Sequence, residues 1–217
     1  AKMPQFFPQA LSNMAWSLAT MIVRDTTMLD AISAQSRAII TQFNHQNMAN
    51  TLWSYATLGY FDDPLLDAIA SAAVDKISNF PVQELVNSAW AMARLTFFHV
   101  PLQDALAEAA RNKIQQYKAR DLSNTVWAFA RLKITDPTLI NAIASHAREK
   151  IADCLPQELS NLAWALANLK VSDANLMDAI AEQAIRKIRD FSVQHLANTV
   201  WAFATLGIHN RPLLEAI

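Results

Sequence analysis

Apolar and polar positions alternate along this chain in two helical patterns, and both patterns return every 37 residues. The first is marked by Trp16, Trp53, Trp90, Trp127, Trp164 and Trp201, evenly spaced with no insertion between them. Five positions before each tryptophan stand Leu11, Met48, Leu85, Leu122, Leu159 and Leu196, and five after it Met21, Leu58, Leu95, Leu132, Leu169 and Leu206. Apolar residues at intervals of three, four and five specify a helix, not a strand, and this one is helix A. A second run, Leu65, Ala68, Ile69 and Ile77, recurs as Leu139, Ala142, Ile143 and Ile151 and specifies helix B. Pro64, Pro101 and Pro212 fall where its first turn begins, and Asp30, Asp67, Asp104, Asp178 and Glu215 sit near that positive end. Pro8 and Pro156 give helix A a comparable start. Short polar or proline-bearing links, such as residues 60–63 and 134–136, join the two.

A fixed period of this size is the signature of a solenoid. The expected fold is all-α: a right-handed α-solenoid of stacked helical hairpins, with residues 1–217 forming a single domain of six 37-residue repeats. Its repeats are 6–42, 43–79, 80–116, 117–153, 154–190 and a truncated 191–217. Two glycines leave little material for β-hairpin turns, and a hydrophobic fraction of 53% suffices for a continuous strip of core between neighbouring repeats. No apolar run approaches the ~18 residues needed to cross a bilayer. No signal-like segment opens the chain at Ala1, so a soluble protein without a membrane partner is expected. The lone Cys154 takes the slot held by Phe43, Phe80, Tyr117 and Phe191 in other copies and reads as a packed apolar residue.

Chemistry is sparse. His45, His99, His146, His195 and His209 fall at unrelated repeat positions without metal-ligand spacing, and no phosphate loop or nucleophile elbow occurs. The expectation is a binding protein, with no catalytic residue, metal, cofactor or small-molecule substrate.

At 100° per residue, the positions seven and three before the tryptophan, the tryptophan itself and the position four after it share one arc of helix A. The opposite arc carries the leucines and the large Leu18, Tyr55, Met92, Phe129, Leu166 and Phe203, which must face the interior. Within the polar stripe one position never changes: Asn13, Asn50, Asn87, Asn124, Asn161 and Asn198. Another varies as Thr20, Thr57, Arg94, Arg131, Asn168 and Thr205. A constant scaffold with one changing polar side chain per unit is how helical-repeat RNA readers address one base each. The variable row is therefore the base-reading candidate and the asparagines are groove support, on the expectation that helix A lines the concave side. The asparagines equally suit hydrogen bonding to an adjacent repeat, and the tryptophans equally suit anchoring the repeat interfaces.

The stretch Leu122-Ser123-Asn124-Thr125-Val126-Trp127-Ala128-Phe129-Ala130-Arg131-Leu132 resembles the octotricopeptide repeats and their 37-residue heptatricopeptide relatives, over nearly the whole chain. That resemblance implies a helical-hairpin solenoid that binds single-stranded RNA in the mitochondrion or chloroplast, serving transcript stability, processing, translation or ribosome assembly. Partner proteins within a ribonucleoprotein fit the same picture.

The formal charge of −1 pulls the other way, since neutralising phosphates needs local positive charge. Lys76, Lys113, Lys150 and Lys187, recurring late in helix B, and Arg120 on helix A are the backbone-phosphate candidates. The lysines serve a helix C-terminus equally well. A peptide-binding scaffold, holding an extended chain through spaced asparagines and tryptophans, is the alternative reading.

Overall fold

The computed structural model describes residues 6–217, so the expectation placed on the opening of the chain at Ala1 lies outside the described residues. The described elements are all helical: α1 (Pro8–Thr20), α2 (Thr26–Ala38), α3 (His45–Leu58), α4 (Asp63–Val74), α5 (Val82–Leu95), α6 (Val100–Lys113), α7 (Ala119–Leu132), α8 (Pro137–Lys150), α9 (Pro156–Asn168), α10 (Ala174–Arg186), α11 (Val193–Thr205) and α12 (Arg211–Ala216). Odd-numbered helices are helices A and even-numbered ones helices B. A one-turn 3-10 segment follows five of the six B helices, opening at Ile40, Ile77, Ile114, Ile151 and Ile188.

The chain divides into two compact units, one ending at Ala110 and one beginning at Arg111. In the first, α1 pairs with α2 and α3 with α4, while α1, α3 and α5 form one layer and α2 packs on α4. In the second, α7 pairs with α8 and α9 with α10, with α7, α9 and α11 layered and α10 between α8 and α12. Each unit is thus a stack of helical hairpins, the arrangement of a helical-repeat protein.

Helices A lie against one another far more extensively than helices B do. Small side chains explain this: Ala49, Ala56, Ala91, Ala93, Ser54 and Ser88 are buried in the first unit, and Ala128, Ala163, Ala165, Ser123 and Ser160 in the second. Without bulk at these positions two backbones can approach closely. The larger apolar residues fill the space toward helix B, as the helical pattern requires: Leu11, Met48, Leu85, Leu122 and Leu159 are buried, and so are Leu18, Tyr55, Met92, Phe129, Leu166 and Phe203. The Tyr55 hydroxyl donates to the Leu29 carbonyl at 2.7 Å, and burial pushes this phenol above its ordinary value.

Helix ends are set by rows that the apolar pattern did not reveal. Each helix B opens on a side-chain cap: Asp25, Asp62, Asp136, Asp173 and Asn210 accept from the backbone N–H three residues on at 3.0–3.1 Å, and His99 Nδ1 does the same at 3.2 Å. The acidic residues expected near this end, such as Asp30 and Asp67, lie one turn further in, so the preceding cap carries the start signal. Each helix A closes on a left-handed residue: Ile22, Gly59, Thr96, Lys133, Lys170 and Gly207 have φ between 55° and 67°. The following N–H reaches back five residues, as Tyr60 does to Tyr55 and Ile134 to Phe129, both at 2.9 Å, which is a Schellman closure.

Candidate nucleic-acid interface

The polar stripe of helix A is carried outside the core in both units. In the first, Asn13 is exposed and Asn50 and Asn87 are half-buried; in the second, Asn124, Asn161 and Asn198 are half-buried. The position seven before the tryptophan is exposed throughout, as Gln9, Gln46, Gln83, Arg120, Gln157 and Gln194. In the variable row Thr20, Arg94, Arg131, Asn168 and Thr205 are exposed, whereas Thr57 is half-buried with its hydroxyl oxygen covered and unpartnered.

Hydrogen bonding within the stripe stays on the parent helix. Thr20 donates to the Trp16 and Ser17 carbonyls, Asn168 Nδ2 donates to Trp164 O at 2.9 Å, and Gln83 Nε2 donates to Asn87 Oδ1 at 2.9 Å. No side-chain hydrogen bond to a neighbouring repeat engages the asparagine row among the described residues. A neutral amide carries two donors and an acceptor, so these residues retain groups for a ligand.

The tryptophans do more than separate the repeats. In the second unit the Trp127 and Trp164 ring centroids lie 6.5 Å apart at 37°, and Trp164 and Trp201 lie 6.4 Å apart at 31°. Arg131 sits over the Trp127 ring, with Cζ 5.7 Å from its centroid. Trp127 and Trp164 are half-buried, and Trp201 is 45% exposed. This ladder was not legible as such, because the sequence gives the spacing of the tryptophans along the chain but not the tilt of their rings.

The lysine row has work inside the fold. Lys76 Nζ donates to the carbonyls of Thr41 and Phe43 at 3.4 and 3.0 Å, and Lys187 Nζ donates to those of Ala152 and Cys154 at 2.7 and 2.6 Å. Each ties the end of its helix B to the 3-10 turn of the preceding repeat. Lys113 is engaged as well. Lys150 differs: it lines an open groove with Lys118 and Arg120, and no hydrogen bond or ion pair among the described residues engages its ammonium. Arg111 and Arg148, beside the lysines in sequence, bind the cap carboxylates Asp136 and Asp173, each at 3.2 Å.

No group of three or more His, Cys, Asp and Glu able to hold a metal occurs among the described residues. Cys154 is fully buried, and burial pushes its thiol up to about 12, which leaves almost no thiolate for nucleophilic chemistry. No helix among the described residues is long and apolar enough to cross a membrane.

No curated protein matches the chain. One protein family does, that of the RNA-editing substrate-binding complex 6 protein, over residues 3–121 and again over 102–217. This overturns the resemblance to octotricopeptide and heptatricopeptide repeats. The alanines that carried the resemblance are buried where A helices approach closely, so their spacing reports packing and does not identify a family. The family is a non-catalytic, RNA-binding component of a mitochondrial RNA-editing complex, so RNA and partner proteins are its ligands and the chloroplast reading falls. With the two matched segments spanning nearly all of the sequence, the chain belongs to the RNA-editing substrate-binding complex 6 protein family.

Proposed function

We propose that the exposed stripe of helices A is the surface that binds single-stranded RNA, on a right-handed solenoid of six 37-residue repeats. In this reading Asn13, Asn50, Asn87, Asn124, Asn161 and Asn198 support the groove. Thr20, Arg94, Arg131, Asn168 and Thr205 meet base edges and the tryptophan rings supply stacking surface, while Thr57, its hydroxyl covered, drops out of the base-reading row. The repeat length is supported by helix A starting at Pro8, His45, Val82, Ala119, Pro156 and Val193, each 37 residues after the last. The inner position of helix A is supported by the closer packing of A on A than of B on B within each unit, since a curved stack crowds the helices on its inner wall.

The observation that carries the proposal is the tryptophan ladder with Arg131 at its edge. Half-exposed aromatic rings 6.4–6.5 Å apart, beside a guanidinium, offer the sequence-tolerant stacking and the charge by which single strands are held. Asparagine, threonine and arginine then supply hydrogen bonds to unpaired base edges.

Titration of a labelled single-stranded RNA pool against the protein at several salt concentrations tests this. Affinity should fall with salt, and Arg94→Ala combined with Arg131→Ala should weaken binding. Salt-insensitive or absent binding refutes the reading. Replacing Asn168 or Thr205 should change preference at one nucleotide only; an even loss across all sequences would reduce that row to backbone contact.

A further inference from the structure

The second unit holds a cation cluster that the repeat pattern alone does not require. At the start of α7, the end of α8 and the start of α9, a groove of about 540 Å³ is lined by Lys118, Arg120 and Lys150 together with Asp153 and Glu158. The corresponding groove of the first unit, two periods earlier in sequence, is smaller, about 310 Å³, and carries Asn44 where the second has Lys118. Gln46 there takes the place of Arg120. Its lysine, Lys76, is bonded to carbonyls, and its His45 lies 3.0 Å from Glu84. One architecture therefore occurs twice, once with a single lysine occupied by carbonyls and once with three cations whose side chains have no hydrogen bond or ion pair among the described residues.

The carboxylates of the charged groove are unequal. Glu158 is buried and its Oε2 accepts from the Leu155 N–H at 2.8 Å, so it is spent on the start of α9. Asp153 is exposed and opposes an anion. Arg120 is also the first member of the α7 stripe, seven residues and about 10 Å of helix before Trp127. A strand with its phosphates in the groove thus has its bases directed along α7 toward Asn124, Trp127 and Arg131.

We propose that this groove is a phosphate-binding niche for the RNA backbone, with Lys118, Arg120 and Lys150 as its donors. It rests on the RNA reading of helix A and adds the position of the backbone on α7. Lys150 is set apart from Lys76 and Lys187 in function: they tie repeats together, and it meets ligand.

The test uses the whole chain and a labelled single-stranded RNA, with the salt dependence of affinity as readout. Lys118→Gln, Arg120→Gln and Lys150→Gln together should reduce the log–log slope by about two, at roughly 0.7 per phosphate. Arg37→Gln, Arg186→Gln and Arg211→Gln remove the same charge from helices B and should leave the slope nearly unchanged. Asp153→Asn should tighten binding. Far-ultraviolet circular dichroism checks that each variant is folded. Equal slope losses in the two triple variants, or no loss in the groove variant, overturn the niche while leaving RNA binding intact. Absence of binding by the unaltered chain instead removes the reading beneath it. A polyglutamate peptide bound as tightly, with the same loss in the groove variant, would overturn the assignment to phosphates in favour of an acidic-peptide site.

Discussion

Trp164→Leu tests the ladder at its middle rung. Trp164 has a ring neighbour on each side, Trp127 at 6.5 Å and Trp201 at 6.4 Å, and is half-buried. Leucine retains apolar volume against the neighbouring helices but offers no π face. Stacking of a base on an aromatic side chain is worth about 1–3 kcal/mol by truncation, which corresponds to a loss of about 5- to 160-fold in affinity. Because no charge is removed, the salt slope should stay at its original value, unlike that of the arginine variants. Trp90→Leu is the comparison, since Trp90 has no tryptophan ring stacked on it among the described residues, and its effect should be smaller. The assay is fluorescence anisotropy of a labelled single strand at several salt concentrations, with quenching of the remaining tryptophans as a second readout. A Trp164→Leu protein with intact helicity and unchanged affinity would refute the reasoning, as the rings would then serve packing alone.

Ile22→Gly should raise stability by about 0.5–1 kcal/mol in thermal melts, because Ile22 is 82% exposed and its φ of 56° costs an L-residue energy that glycine avoids; a lower melting point would count against this. Lys187→Met should cost about 1–3 kcal/mol in urea unfolding through loss of the bonds to Ala152 and Cys154, with no change in the salt slope of RNA binding. Asp173→Ala should destabilise by about 1–2 kcal/mol, most of it from the cap on Leu176 N, and a double-mutant cycle with Arg148→Ala should assign under about 1 kcal/mol to the part-exposed ion pair. The Cys154 thiol lies at about 12 in the fold against an ordinary 9.0, so the unfolded chain loses its proton first. Stability should therefore be level below pH 9 and fall between pH 9 and 12, relative to Cys154→Ala, and a flat difference across that window would refute the burial argument.

What the sequence made legible was whatever repeats as a residue type. The tryptophans, the leucine row and the buried partner row of Tyr55 and Phe129 fixed helix A and its inward face, and Cys154 was read correctly because aromatic residues fill its slot elsewhere. What repeats as a conformation was harder to see. The left-handed slot six after the tryptophan is glycine only at Gly59 and Gly207, and Ile22, Thr96, Lys133 and Lys170 hide it elsewhere. The Schellman bonds and neighbouring apolar contacts hold the backbone there whatever the side chain. The helix B caps were similarly masked by His99 and Asn210 among the aspartates. The lysine row shows the reverse limit: a recurrence over four consecutive repeats that suggested phosphate contact is, at Lys76 and Lys187, a bond to backbone carbonyls. A side chain needed at every repeat is more readily explained by the joint between repeats, which is constant, than by a ligand, which varies along its length.

The same distinction bears on the near-neutral charge. Many acidic groups lie at joints: Asp25, Asp62, Asp136 and Asp173 cap helices B, and Asp121 and Glu158 accept from backbone N–H groups at the starts of α7 and α9. Each faces the positive end of a helix, which offsets part of its field. Many cations are spent likewise, Arg111 and Arg148 on cap carboxylates, Lys76 and Lys187 on carbonyls, and Arg186 and Arg211 on glutamates one turn away in their own helices. Among the cations outside these contacts, Arg120 and Arg131 lie on the α7 stripe, with Lys118 and Lys150 beside Arg120. Screening confines each field to about 10 Å at ordinary salt, so a strand on α7 responds to that cluster and not to the formal charge of the chain. RNA affinity should accordingly follow substitutions on α7 and its groove far more closely than it follows net charge.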